Sequence, residues 1–186
     1  MNPQKSRTIL RTLRINRQLD SLLGRDARAK GMSLNSLITR ALTKYAEWDR
    51  YIEKFGHICL TRDAFRTILE TTNDEQLARA AHQLGTRLSK DVILFWFREV
   101  NLENFLRYVS VFCRYGRVAE YELEIEGRNY TLTAHHDLGE KWSNYLKTFV
   151  EQTMKSTLGI TPEIEVSKNS VVVLFQAPTR IENLSA

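Results

Sequence analysis

Apolar and polar residues alternate strictly over Arg11-Thr12-Leu13-Arg14-Ile15-Asn16, which sends Leu13 and Ile15 to one face of an extended strand and Thr12, Arg14 and Asn16 to the other. The period then lengthens. Leu19, Leu22, Leu23 and Ala27 recur at helical spacing, and Gly31 follows where a left-handed C-terminal cap is wanted. Ser33 opens a second helix, its hydroxyl placed to accept from the first-turn amides. Leu34, Leu37, Ile38, Ala41, Leu42 and Tyr45 give that helix a wide apolar stripe. A strand and two helices in about forty residues are too small a unit to fold alone, and a lone strand has no sheet to join. Pairing strand to strand with a second copy across a two-fold axis solves both problems, so the pattern predicts a homodimer.

Beyond Tyr51 the pattern stays mostly helical for some way. Phe55 to Leu60 is a short apolar run that reads as a strand, and Thr61 then caps a helix carrying Ala64, Phe65, Ile68 and Leu69. Thr72 or Asn73 starts another, with Leu77, Ala80, Ala81 and Leu84. It meets Gly85 and resumes through Leu88, Val92, Ile93, Phe95, Trp96 and Phe97. The run VILFWF is apolar all round, which predicts burial on every side or the wall of a cavity. Asn101 opens a further helix that ends near Gly116. The period then drops to two. Tyr121, Leu123 and Ile125 oppose Glu120, Glu122, Glu124 and Glu126, a turn falls at Glu126 to Asn129, and a return strand runs through Tyr130, Leu132 and Ala134. Asp137 and Glu140 resemble a capping box for a helix of Trp142, Tyr145, Leu146, Phe149, Val150 and Leu158, closed by Gly159. A second hairpin, Pro162 to Val166 and Val171 to Phe175, turns at Ser167 to Ser170. The predicted class is α+β. A β-α-α unit forming an intertwined dimer over residues 1–50 precedes an α+β domain of helices, antiparallel hairpins and a long helix over 51–178, with a tail over 179–186.

The strand-helix-helix order with its caps resembles the ribbon-helix-helix repressors of the Arc, MetJ and nickel-regulator kind, over about the first fifty residues. In that family a two-stranded antiparallel ribbon enters the DNA major groove. The resemblance implies base contacts from Thr12, Arg14 and Asn16. Arg14 is able to donate two hydrogen bonds to a guanine, and Asn16 suits an adenine. It also implies phosphate contacts from the amides opening the second helix, at Ser33, Leu34 and Asn35.

Charge adds to this picture because it is uneven. Of the net +5, residues through Arg50 hold eleven basic against four acidic side chains, and the remainder holds sixteen against eighteen. The polyanion-binding surface is thereby placed on the N-terminal unit. Lys5 and Arg7 precede the strand and Arg11 and Arg17 flank it, all placed to meet phosphates. A hydrophobic fraction of 42% and a charged fraction of 26% are those of a soluble globular protein. No apolar run is long enough to span a bilayer and no leader precedes the strand, so no membrane partner and a cytoplasmic location are expected.

Helices followed by hairpin, long helix and hairpin also resemble a group of sensory domains: the four-vinyl-reductase-type hydrocarbon-binding, haem nitric-oxide-binding and Bet3-like trafficking domains. The resemblance covers roughly Phe55 to Phe175 and rests on element order and on stretches such as LARAAHQLGTRL and NLENFLRYVSVFCRYG. The closing strands lack the cysteines often found there and no Tyr-x-Ser-x-Arg occurs, so no cofactor is expected.

The candidate chemistry is sparse. His57 and Cys59 would share a face of a strand as soft ligands, but they lack a third and fourth partner, so no metal is expected. His135 and His136 are adjacent and point to opposite faces of a strand. No nucleophile elbow, phosphate loop or dinucleotide fingerprint appears, so no catalytic residue is assigned and an enzyme is not expected. Phe95, Trp96, Phe97, Trp142, Tyr145 and Phe149 either line a pocket for an apolar small-molecule effector or form plain core. These readings converge on a homodimeric, sequence-specific transcriptional regulator of double-stranded DNA, its second domain sensing an effector or assembling a dimer of dimers. Two alternatives stand beside it. An antitoxin-type interaction module would be marked by a neighbouring toxin gene, and an architectural chromatin-type binder by affinity that follows salt rather than sequence.

Overall fold

The structure, a computed structural model, describes residues 9–178. The fold is α+β, and its contacts divide the chain into two compact units, Met1–Asp49 and Arg50–Ala186.

The first unit is helical. Helix α1 spans Arg17–Ala29 and α2 Leu34–Lys44, followed by a π-helical turn at Tyr45–Asp49. Asn16 caps α1, its side chain accepting from the Leu19 amide at 2.8 Å. At the far end Met32 N–H reaches Ala27 O and Gly31 N–H reaches Arg28 O, with Gly31 at φ +63. That pair of bonds is a Schellman closure, which needs a left-handed residue at Gly31. Ser33 then caps α2 by accepting from Ser36 N–H at 3.1 Å. The expected strand over Arg11 to Asn16 is absent: Ile9 to Asn16 carries no regular structure. A strand exists only through hydrogen bonds to a neighbouring strand, and no strand among the described residues pairs with this segment.

The second unit begins with α3 (Arg50–Phe55), α4 (Arg62–Thr71), α5 (Asp74–Phe97) and α6 (Leu102–Gly116). Thr61, Asn73 and Asn101 each cap the helix that follows. The run from Gly56 to Leu60 is not a strand but an irregular, exposed connection. The segment pairs with none of the four strands of the sheet, and an apolar run without a ladder partner is no strand. Strands β1 (Glu120–Glu126) and β2 (Asn129–His135) form one hairpin, β3 (Glu163–Val166) and β4 (Ser170–Gln176) another, and α7 (Glu140–Leu158) lies between them in sequence. The four strands make one antiparallel sheet in the order β1-β2-β4-β3. Register puts Tyr130 opposite Phe175, Leu132 opposite Val173 and Ala134 opposite Val171, so one face of the two central strands is continuously apolar and buried.

Asp137 does not cap α7. The cap position is Gly139, without a side-chain hydrogen bond, and the Asp137 carboxylate instead accepts from Arg62 of α4 at 2.8 Å. The long helix α5 also runs unbroken through Gly85. What Gly85 permits is contact: a Cβ there would lie 2.6 Å from the Phe149 carbonyl oxygen and 3.0 Å from the Gln152 Cβ of α7. Thr153 Oγ1 lies against Ser89 Oγ at 3.0 Å and Phe149 O at 2.8 Å, so the hydroxyls buried in the crossing are satisfied. Of the two expectations for the VILFWF run, burial on every side fails at Leu94, and lining a cavity holds at Val92. Val92, Ile93 and Trp96 are buried, while Leu94 faces out.

The Gly85→Ala variant gains about 1 kcal/mol in helix propensity but has to push α5 from α7, which costs about 1–3 kcal/mol. A net loss is therefore expected, read as a lower urea midpoint with an unchanged slope. An equal or higher midpoint would show that the crossing has slack.

Candidate functional site

In the first unit Arg11, Thr12 and Arg14 are exposed on the irregular segment ahead of α1, and Arg17 is exposed at the first position of that helix. Asn16 is exposed too, but its side-chain oxygen is committed to the α1 cap. Using it to read a base would forfeit that cap, at a cost of about 0.5–2 kcal/mol. Ser33, Leu34 and Asn35 stand together at the start of α2, with Ser33 Oγ holding the Ser36 amide. Lys5 and Arg7 lie outside the described residues.

The same unit leaves its apolar face uncovered. Within α1 and α2 only Ala27 is buried, whereas Leu13 and Leu42 are each 62% exposed, and Leu19, Leu22 and Tyr45 are exposed as well. Leucines at this spacing belong in a core, and the described residues of this unit do not supply the other half of it.

In the second unit an apolar cavity of about 470 Å³ lies between α5, α6, α7 and the buried face of the sheet. Leu84, Leu88 and Val92 enter it from α5, and Leu132 and Val173 from the central strands. From α7 come Trp142, Tyr145 and Phe149, whose rings stack with centroids 4.8 and 5.9 Å apart and planes 8° and 12° apart. The six aromatics singled out from the sequence thus divide. These three line the cavity, while Phe95 and Trp96 pack edge-on against Tyr51 of α3 at 6.0 and 5.4 Å and Phe97 lies against Trp96 at 6.1 Å, all three outside the lining. Sequence reasoning missed the sheet's share of the lining, which depends on the β2–β4 pairing between strands distant in the chain. It also missed Tyr108 and Cys113 of α6. Burial pushes the Tyr108 hydroxyl up to about 12 and the Cys113 thiol up to about 12, so both stay protonated and uncharged at neutral pH.

A second, polar recess lies beside the first, lined by Arg62, Arg114, Arg117, His135, His136 and Asp137 among others. Its hydrogen bonds are structural. Leu138 N–H donates to His136 Nδ1 at 3.3 Å, which leaves the proton on Nε2 to be donated to Ser143 Oγ at 2.9 Å. Ser143 Oγ in turn donates to the Lys168 carbonyl at 3.2 Å. The neutral ring so ties the end of β2 to α7 and to the β3–β4 turn. His57 and Cys59, on the irregular connection, do not form the expected strand face, and no group of three or more His, Cys, Asp or Glu able to hold a metal occurs among the described residues. Among those residues no helix is long and apolar enough to cross a membrane.

Burial lowers the His136 pKa below 6.5, with Asp137 opposing and His135 reinforcing that shift. The unfolded chain therefore takes up this proton first as pH falls. The stability linked to the neutral ring is present above about pH 6.5 and is lost as pH drops through the folded-state value. Melting curves between about pH 7.5 and 5 should show the native chain losing about 2 °C more than His136→Gln, which keeps a donor to Ser143 but does not titrate. Parallel curves would remove His136 from the pH response. No protein-family model matches the chain, and no curated protein matches it in sequence.

Proposed function

We propose that the chain acts as a homodimeric, sequence-specific DNA-binding regulator, in which the segment before α1 pairs with its copy as a two-stranded ribbon. The observation that carries this reading is the uncovered apolar face of the first unit, with Leu13, Leu22 and Leu42 exposed on a strand-helix-helix sequence whose helices are well capped. A second copy supplies the missing half of that core, and pairing of Arg11 to Asn16 with its symmetry mate satisfies the backbone groups that the single chain leaves without a ladder. The ribbon then presents Thr12 and Arg14 outward, within residues 1–50, where basic side chains outnumber acidic ones eleven to four. Arg11 and Arg17 flank it, and the opening of α2 at Ser33 to Asn35 offers amides to a phosphate. Asn16 joins the readers only if its capping role is relaxed. The second unit acts as the sensing or assembly module: its own charge is near neutral, and its cavity is the place for an apolar effector.

The Ile15→Lys variant of the full chain is expected to sediment as a monomer and to lose DNA binding, because the charge would be buried at the ribbon's apolar face. A variant that remains a dimer with native affinity would refute the ribbon. On the selected operator Arg14→Ala should cost about 1–3 kcal/mol and relax discrimination at one base pair per half-site. Lys5→Ala should instead weaken all DNA alike and reduce the salt slope by about one. Equal losses on operator and random DNA for Arg14→Ala would withdraw the base contact.

A further inference from the structure

The cavity of the second unit is selective in a way that its apolarity alone does not convey. Among the described residues lining it there is no Asp, Glu, Lys or Arg. A carboxylate or phosphate carried inside would lose its water and meet no counter-ion, which costs several kcal/mol. Among the polar side chains of the lining are the hydroxyls of Tyr108 and Tyr145 and the thiol of Cys113, whose protonated forms burial favours. A peptide segment fits poorly for a related reason, since each residue would bring an N–H and a C=O into a lining with few partners for them.

The opening has a further property. Ile58, which lines the cavity, is 80% exposed, and Leu84 and Leu88, which line it from α5, are exposed too. Three large aliphatic side chains stand in water around an apolar hollow. Ile58 sits on the irregular connection after Gly56, whose φ of +66 is a conformation that glycine adopts without strain. We infer that this cavity binds an uncharged, mainly hydrocarbon small molecule carrying one hydrogen-bonding group, and that the Gly56 to Leu60 connection closes over it. The inference rests on the reading of the second unit as a sensing module, but it needs no DNA to be tested. The volume of about 470 Å³ lies within the range of small-molecule sites. The occupant would lie along the stacked rings of Trp142, Tyr145 and Phe149, with its polar group met by a neutral hydroxyl or thiol. It is held without a covalent bond, because the Cys113 thiol, pushed up to about 12, supplies no thiolate.

The test is calorimetric titration of the full-length chain with octan-1-ol and with octanoate at about pH 8, where the acid is ionised. The alcohol is expected to bind, and octanoate to bind at least about tenfold more weakly. Ile58→Asp changes an exposed side chain. It should leave the melting temperature unchanged while weakening the alcohol by about tenfold, because a carboxylate would then face the bound chain. Octanoate binding as tightly as octan-1-ol would overturn the uncharged class. Binding of the alcohol unaffected by Ile58→Asp would overturn the closing segment. If neither molecule binds, the cavity is not the proposed site, and self-association abolished by Ile58→Asp would make a second copy its occupant instead. Because DNA affinity enters none of these readouts, failure of the ribbon reading would leave them intact.

Discussion

The second unit depends on how closely α5 and α7 approach at Gly85. With no side chain at that point the Phe149 carbonyl comes within 2.6 Å of where a Cβ would stand, and this fixes the separation of the two longest helices. Ala81, Gly85 and Ser89, four residues apart, form the face of α5 that meets α7. Leu84 and Leu88 lie one residue earlier, about 100° round the helix, and so face the cavity instead of the crossing. A single helix thus carries a seam of small residues for contact and a stripe of large ones for the hollow. The seam is polar as well as small, and this is tolerable because each buried hydroxyl has a partner: Thr153 with Ser89 and Phe149 O, and Ser156 with Gly85 O at 3.4 Å.

Local chemistry made much of this fold legible. Ser33, Thr61, Asn73 and Asn101 cap their helices because each carries a short side-chain oxygen able to reach an amide three residues on, which requires no knowledge of the tertiary fold. The two hairpins followed from alternation and turn residues in the same local way. The failures are instructive for the opposite reason. Glycine weakens a helix and so suggests an interruption at Gly85, but what its missing side chain permits is a contact with residues more than sixty positions away. Asp137 looked like a cap until α4 brought Arg62 and Arg66 to it. The Gly56 to Leu60 connection is apolar in keeping with a strand, yet its side chains stand at the opening of a cavity whose other walls come from three helices and a sheet. The lining of that cavity could not be read from any one segment, because it is assembled by the β2–β4 pairing and the helix crossing together.

The first unit poses a different problem, since its alternating segment carries no regular structure in the single chain. Alternation from Arg11 to Asn16 is a statement about two faces, and a ladder needs two strands to have faces at all. Asn16 shows the competition at residue level: in the single chain its side chain closes the first turn of α1, whereas base reading would ask the same oxygen and amide to turn toward DNA. Thr12 and Arg14 carry no such obligation. On this argument the specificity of a ribbon would concentrate on Arg14, the one candidate reader with both reach and no structural employment.

On the proposed reading, any effect of an occupant of the second unit on DNA binding by the first would be constrained by thermodynamics more than by distance. A ligand that fills the cavity equally well in every arrangement of the protein changes nothing, however tightly it binds. Coupling requires a part of the site that differs between arrangements. The stacked wall of α7 is a poor candidate, since it is held by the Gly85 crossing and by Trp142, whose Nε1 donates to Val118 O at 3.3 Å. The connection from Gly56 to Leu60 is a better one. It is exposed, lacks regular structure, and follows directly from α3, the first element after the boundary between the units. Differential affinity would therefore reside in Ile58 and its neighbours. The chemistry of the interior would decide which molecule binds, and the state of this connection would decide whether binding has any consequence.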